Sequence, residues 1–178
     1  ATAAAGKAAD LGFDDVSHLP VIIDPAKIIC VGLNYDDHRK EGGAQEVDNP
    51  TLFTRFANSQ IGHGQAIIAP KVSDKVDYEA ELAVIIGRPG RHIGEAEALD
   101  YVAGYACYND VSIRDWQRHT TQFTPGKNFV GSGPFGPWMV TADEIPDPQK
   151  LGITLRLNGQ EMQKANTDLM IFPVRTLI

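Results

Sequence analysis

Residues 76–86, VDYEAELAVII, constrain this chain more than any other stretch. Tyr78, Ala80, Leu82, Val84 and Ile86 recur at every second position and form one continuous non-polar face, the period of a strand. The alternate row begins with Asp77, Glu79 and Glu81 and ends with Ala83 and Ile85, and Gly87, Pro89 and Gly90 stop the run. Residues i and i+2 of a strand point to the same side, so Glu79 and Glu81 project together. Paired carboxylates among apolar neighbours repel one another and lose hydration, and a cation relieves both costs. Hard oxygen donors without His or Cys favour Mg²⁺ or Mn²⁺, with Ca²⁺ as an alternative, over Zn²⁺. Asp110 suits the third position, because a buried strand (YVAGYACYND) gives way to a loop there. Spacing alone leaves a solvated sheet face open for Glu79 and Glu81, and by pattern that is the more frequent outcome.

The other elements are short. Strands are expected over 27–33, 66–69, 101–108, 138–141 and 153–157, with an extended segment over 49–58 and an Asn158-Gly159 hairpin turn. Residues 1–19 resemble a short Ala-rich helix followed by a loop, although a loosely packed terminal arm is the more frequent outcome for such a stretch; helices are expected after an Asn34 or Asp36 cap up to Gly42 and Gly43, from Glu95, and over 112–119. Residues 120–129 read as a loop. Many strands and few helices make an α+β, β-dominated domain over 20–178, preceded by the arm over 1–19. The chain stops at IFPVRTLI without a cap, glycine or polar tail, so the domain is expected to be incomplete at this end.

A formal net charge of −7 argues against nucleic-acid and anionic-membrane partners. No apolar run approaches the ~18 residues of a membrane span. Cys30 and Cys107, far apart in sequence, read as buried, reduced thiols of a cytoplasmic protein. The GxGxxG spelled by residues 131–136 is a loop rather than a dinucleotide fingerprint, since Pro134 and Pro137 forbid the helix start it needs. His63 and His92 are expected at the surface.

Four runs, KIICVGLNYDDHRKE, DYEAELAVIIG, YNDVSIRDWQ and TPGKNFVGSGPFGPWMVTADEI, stand in one order along the chain. Together they closely resemble the fumarylacetoacetate hydrolase family from about Pro20 to the last residue. The resemblance implies a mixed β-sandwich or barrel-like roll with short helices, and Mg²⁺ or Mn²⁺ held by Glu79, Glu81 and Asp110. It gives His38 and Glu41, i and i+3 on one helical face, as the pair that activates water. Lys127 is then the cation beside the metal, stabilising an enolate or oxyanion. Gln117 matches a polar substrate position. Arg114 either joins it or pairs structurally with Asp115, and Arg55 stands where many relatives carry lysine. The implied chemistry is C–C hydrolysis of a small 2,4-dioxo acid, with decarboxylation or enol–keto isomerisation of a 2-oxo acid on the same site as alternatives. A non-catalytic metal binder is the reading of another class. Relatives pair as homodimers, and they continue past the present last residue to a Thr-Gly-Thr-Pro motif near the substrate pocket.

Overall fold

Period-2 patterning dominates the structure as it does the sequence. The structure is a computed structural model that describes residues 6–36, 39 and 48–178. Among these, eleven short strands form five small open sheets, joined by helices of about one turn. The fold is β-dominated α+β.

Strand β1 (Ile28–Gly32) pairs antiparallel with β2 (Thr51–Arg55), bringing Cys30 opposite Phe53 and Ile28 opposite Arg55. Directly opposed residues share a face. Phe53 and Arg55 therefore turn inward, while Ile29 and Leu52 stay exposed on the outer side. β3 (Gln60–Ile61) pairs parallel with β8 (Gly133–Pro134). β4 (Val76–Asp77) pairs with β7 (Ser112–Ile113), and β5 (Ala80–Ile86) with β6 (Val102–Asn109), which also carries β9 (Val140–Thr141). β10 (Gly152–Leu157) and β11 (Gln160–Asn166) form the expected hairpin. Its turn residues Asn158 and Gly159 both have positive φ, as a tight primed turn requires.

Several expectations for local structure need correction. Residues 66–69 are not a strand; Ile68 N–H instead donates to the Gly131 carbonyl, 3.2 Å away, across a loop. Among the described residues of the arm, 7–10 show no helix and the one helical element is a 3₁₀ turn at Phe13–Asp15. Near Glu95 the chain makes a turn followed by a 3₁₀ helix, Ala98–Tyr101, rather than an α-helix. Residues 112–119 divide into β7 and a one-turn helix, α1 (Arg114–Gln117). The expected loop 120–129 contains a second helix, α2 (Thr124–Lys127), with Pro125 pre-set in its first turn. A third, α3 (Val174–Leu177), closes the described chain. The helix expected after an Asn34 or Asp36 cap lies largely outside the described residues; the Asn34 amide bonds both ways to the Phe172 backbone, at 2.8 and 3.0 Å.

The arm is strapped to the body by aromatic contacts. Phe13 meets His18, His63 and Trp138, and the His18 carbonyl accepts from Gln65. His63 is thus part of this seam around a cavity of about 220 Å³. The strap crosses so close to Gly62 that a Cβ there would overlap the His18 carbonyl. Gly62→Ala is expected to cost about 1–3 kcal/mol in urea unfolding, the usual penalty for forced overpacking. An unchanged midpoint would show that the arm does not hold this position.

Candidate active site

The largest fully buried side chains are not hydrophobic: they are Arg55 and Lys127, with exposures of 2% and 1%. Burying such charges is unfavourable unless they are paired, and the fold pairs both. Lys127, at the end of α2, donates to Glu79 Oε2 at 2.6 Å and to Asp110 Oδ2 at 2.7 Å. Arg55, from β2, donates to Asp110 Oδ1 at 2.5 Å, to the Val111 carbonyl and to Ser132 Oγ. Arg114, from α1, reaches Glu79 Oε1 at 2.5 Å, Asp77 Oδ2 at 2.8 Å and Gln117 Oε1 at 2.9 Å. Each of the two central carboxylates therefore has one oxygen on a guanidinium and the other on the shared ammonium.

Backbone irregularity creates this convergence. The expected strand over 76–86 breaks between β4 and β5, so Glu79 lies in the gap. There its N–H donates to Asn109 Oδ1 and its carbonyl accepts from Asp110 N–H. The side chain of Asn109 thus replaces a ladder bond and fixes Glu79 beside Asp110. Ala80 N–H, across the gap, is taken by Gln163 of β11. Glu81 follows in regular β5 opposite Tyr108, and the pair shares the sheet face of the cluster. On the other face Cys107, Asn109 and Ala80 line a separate cavity of about 240 Å³.

The charges leave a mark on Glu81. Burial, reinforced by the negative charges of Glu79 and Asp110 and opposed in part by Lys127, pushes its carboxyl up to about 8. Burial and the Asp110 charge also push the Cys30 thiol up to about 12. Tyr35 and Tyr108 are raised by burial, Tyr35 further by Glu81, and both hydroxyls are buried without a hydrogen-bond partner in the described structure. Arg114 pays for its partial burial, but the charges of Glu79 and Asp77 more than restore its cationic form.

Of the residues expected at the site, the structure brings Glu79, Asp110, Lys127, Arg55, Arg114 and Gln117 into one hydrogen-bonded network, with Glu81 coupled to it by charge. His38 and Glu41 lie outside the described residues. The Arg114–Asp115 pair does not form: Arg114 turns to Asp77 and Glu79, while Asp115 accepts from Ser73. Arg55 is bonded to Asp110, Ser132 and the Val111 carbonyl. Among the described residues, no three carboxylate, imidazole or thiol groups are arranged as a ready metal cage, because the Lys127 ammonium stands between Glu79 and Asp110. Cys107 is exposed and Cys30 half-buried, so the expectation of two buried thiols fails for Cys107. Asp77 and Ser132 were not singled out from sequence. Asp77 was legible as the first member of the acidic row, whereas nothing in a Gly-Ser-Gly loop announces a buried serine.

The family model for the fumarylacetoacetate (FAA) hydrolase C-terminal region matches residues 27–178. The chain belongs to the fumarylacetoacetate hydrolase family. Mitochondrial oxaloacetate tautomerase Fahd2a of Rattus norvegicus is 44% identical over 164 residues, covering 92% of this chain and 52% of that protein. The chain spans about half the length of this and other tautomerase relatives. The solved fumarylacetoacetate hydrolase of psychrophilic Exiguobacterium antarcticum matches with a TM-score of 0.81 at 39% identity, over 89% of this chain and 57% of that one. The 5-carboxymethyl-2-hydroxymuconate delta-isomerase of Mycobacterium smegmatis matches with a TM-score of 0.80 at 35% identity, over 93% and 64%.

Proposed function

We propose that Glu79, Glu81 and Asp110 hold a divalent cation, Mg²⁺ or Mn²⁺, and serve an enzyme of enol–keto chemistry on a small 2-oxo carboxylic acid. The observation that carries this reading is the buried Lys127 ammonium, bonded to both Glu79 and Asp110 within reach of the Glu81 charge. The donor set fits a hard ion: all three groups are carboxylates, and Glu81 is driven towards its neutral form by burial and by the two anions beside it. The orphaned Tyr35 and Tyr108 hydroxyls add polar atoms at the same wall. A cation bound there supplies Lewis-acid polarisation of the substrate's oxo group.

The chain's own residues do the rest. Lys127 places a fixed positive charge beside the carboxylates, where it stabilises an enolate oxygen without reorganising. Arg55 and Arg114 hold the outer oxygens of Asp110 and Glu79, so these carboxylates keep one orientation through turnover. The relatives named as oxaloacetate tautomerase and hydroxymuconate isomerase support proton movement on an enol as the reaction. Hydrolysis of a C–C bond in a 2,4-dioxo acid is the second reading. It is favoured by the His38–Glu41 spacing, which suits an imidazole oriented to deprotonate water, and by the relative named as a fumarylacetoacetate hydrolase. A homodimer belongs to the same proposal, with the outer face of β1–β2, where Ile29 and Leu52 are exposed, as the surface a second copy would cover.

Oxaloacetate tautomerisation, followed by loss of its enol absorbance, and acylpyruvate cleavage should be assayed with Mg²⁺, with Mn²⁺ and with chelator. We expect turnover of at least one substrate to need the ion and to fall about a hundredfold or more in Glu79→Gln. Turnover indifferent to chelator would overturn the metal reading. Ion binding without turnover of either substrate would overturn the enzymatic one.

A further inference from the structure

The Gly131–Ser132–Gly133 loop has no part in the chemistry described so far, yet Ser132 is 1% exposed and lies against the charged cluster. Its Oγ accepts from Arg55 Nη2 at 2.7 Å and donates to the Phe129 carbonyl at 2.6 Å, with the Lys127 carbonyl at 3.4 Å. Arg55 passes the constraint to Asp110, and Asp110 accepts from the Lys127 ammonium. The path closes on itself, from the Lys127 side chain through Asp110, Arg55 and Ser132 back to the Lys127 backbone. Gly133 makes room for it, since a Cβ there would overlap the Tyr108 hydroxyl and lie 3.0 Å from Arg55 Nη2. The backbone fixes the loop from outside the ring, because Ser132 N–H donates to the Ser59 carbonyl at 3.0 Å.

From this ring we infer that Ser132 is a positioning residue for the cation site: it holds Arg55, and through Arg55 it sets the orientation of Asp110 relative to Lys127. The inference rests on the proposal that Asp110 is a ligand. Groups that orient metal ligands from behind typically change ion affinity by about 10–100-fold when removed. A guanidinium with one anchor lost rotates, and the carboxylate it holds rotates with it.

Mn²⁺ alone is the probe, its dissociation constant read by titration calorimetry and by the loss of the free-ion electron paramagnetic resonance signal. Ser132→Ala should weaken Mn²⁺ binding about tenfold. Ser59→Ala removes a buried hydroxyl of the same kind, bonded to the Phe56 carbonyl and not to Arg55. That variant should stay within about twofold of wild type, although it too loses a buried hydrogen bond and some thermal stability. Arg55→Lys, which keeps the charge but not the fork that reaches both Asp110 and Ser132, should weaken Mn²⁺ binding at least as much as Ser132→Ala. Mn²⁺ affinity unchanged in Ser132→Ala, or equally weakened in Ser59→Ala, would overturn the positioning role while leaving the metal reading in place. Failure of the wild-type protein to bind Mn²⁺ would overturn both.

Discussion

Lys127→Met is expected to lower the stability of the chelated protein by about 3–5 kcal/mol, the usual consequence of removing one member of a buried ion pair. The side chains are similar in length and volume, so packing changes little and the effect isolates the charge. What remains is Glu79 and Asp110, 8% and 4% exposed, facing one another with their shared ammonium gone. Arg55 and Arg114 still hold the outer oxygens, which keeps the loss from growing further. For a chain of this size the thermal midpoint should fall by about 10 °C. Millimolar Mn²⁺ should recover a large part of that loss, because a divalent ion neutralises the same two carboxylates. Turnover should not recover with stability. It should stay about a hundred- to a thousandfold down, the scale of losing one preorganised charge beside an oxyanion. Scanning calorimetry with and without Mn²⁺, paired with the oxaloacetate and acylpyruvate assays, separates the two effects. A variant as stable as wild type in chelator would show that the ammonium does not neutralise the cluster, and full turnover would remove Lys127 from the chemistry.

Local periodicity carried the sheet faces but not the polar centre. The alternation of residues 76–86 was sufficient to place Glu79 and Glu81 near one another and to point both away from the apolar row. It could not show the break at Glu79, which depends on the Asn109 amide replacing a ladder bond from another strand. Nor could it show that Arg55, on a strand with clean in–out alternation, turns inward. By local preference an arginine there belongs with exposed Leu52 and Thr54, and only a buried Asp110 more than fifty residues away reverses that. The loop reading of 120–129 failed for a related reason. Pro125 and Gly126 weaken any local helical signal, while docking of the one-turn helix against its neighbours and pairing of Lys127 with two carboxylates hold it in place. Motif order along the chain reached further, because a family's shared residues already encode such long-range partners. Asp110 and Lys127 are legible together with Glu79 from motif order alone. Ser132 escaped both approaches, since its role is set wholly by a tertiary contact.

The Glu81 carboxyl gives the site a pH dependence whose direction is fixed. Its value in the folded protein, about 8, lies above the ordinary 4.5, so between these limits the folded state holds a proton that the unfolded state has released. Stability therefore falls as pH rises through this window. The contribution is fully present below about 4.5 and is lost once pH passes about 8. Scanned in chelator, the thermal midpoint should drop by several degrees between pH 5 and pH 8.5, and Glu81→Gln, which mimics the neutral acid, should remove that component of the slope. Ion binding runs in the opposite direction. A cation needs the carboxylate, so binding near pH 6–7 should expel close to one proton, and affinity should tighten about tenfold per pH unit up to the carboxyl's own value. Calorimetric titration of Mn²⁺ in buffers of different ionisation heat counts that proton directly. Glu81→Gln should bind more weakly and with no released proton. If the variant kept the proton release and the slope, the titrating group would lie elsewhere in the cluster. Because metal and proton compete for one carboxylate, the pH at which Mn²⁺ affinity stops rising should track the pH at which the chelated protein stops losing stability to this group, and both should shift together in any variant that alters the charge beside Glu81.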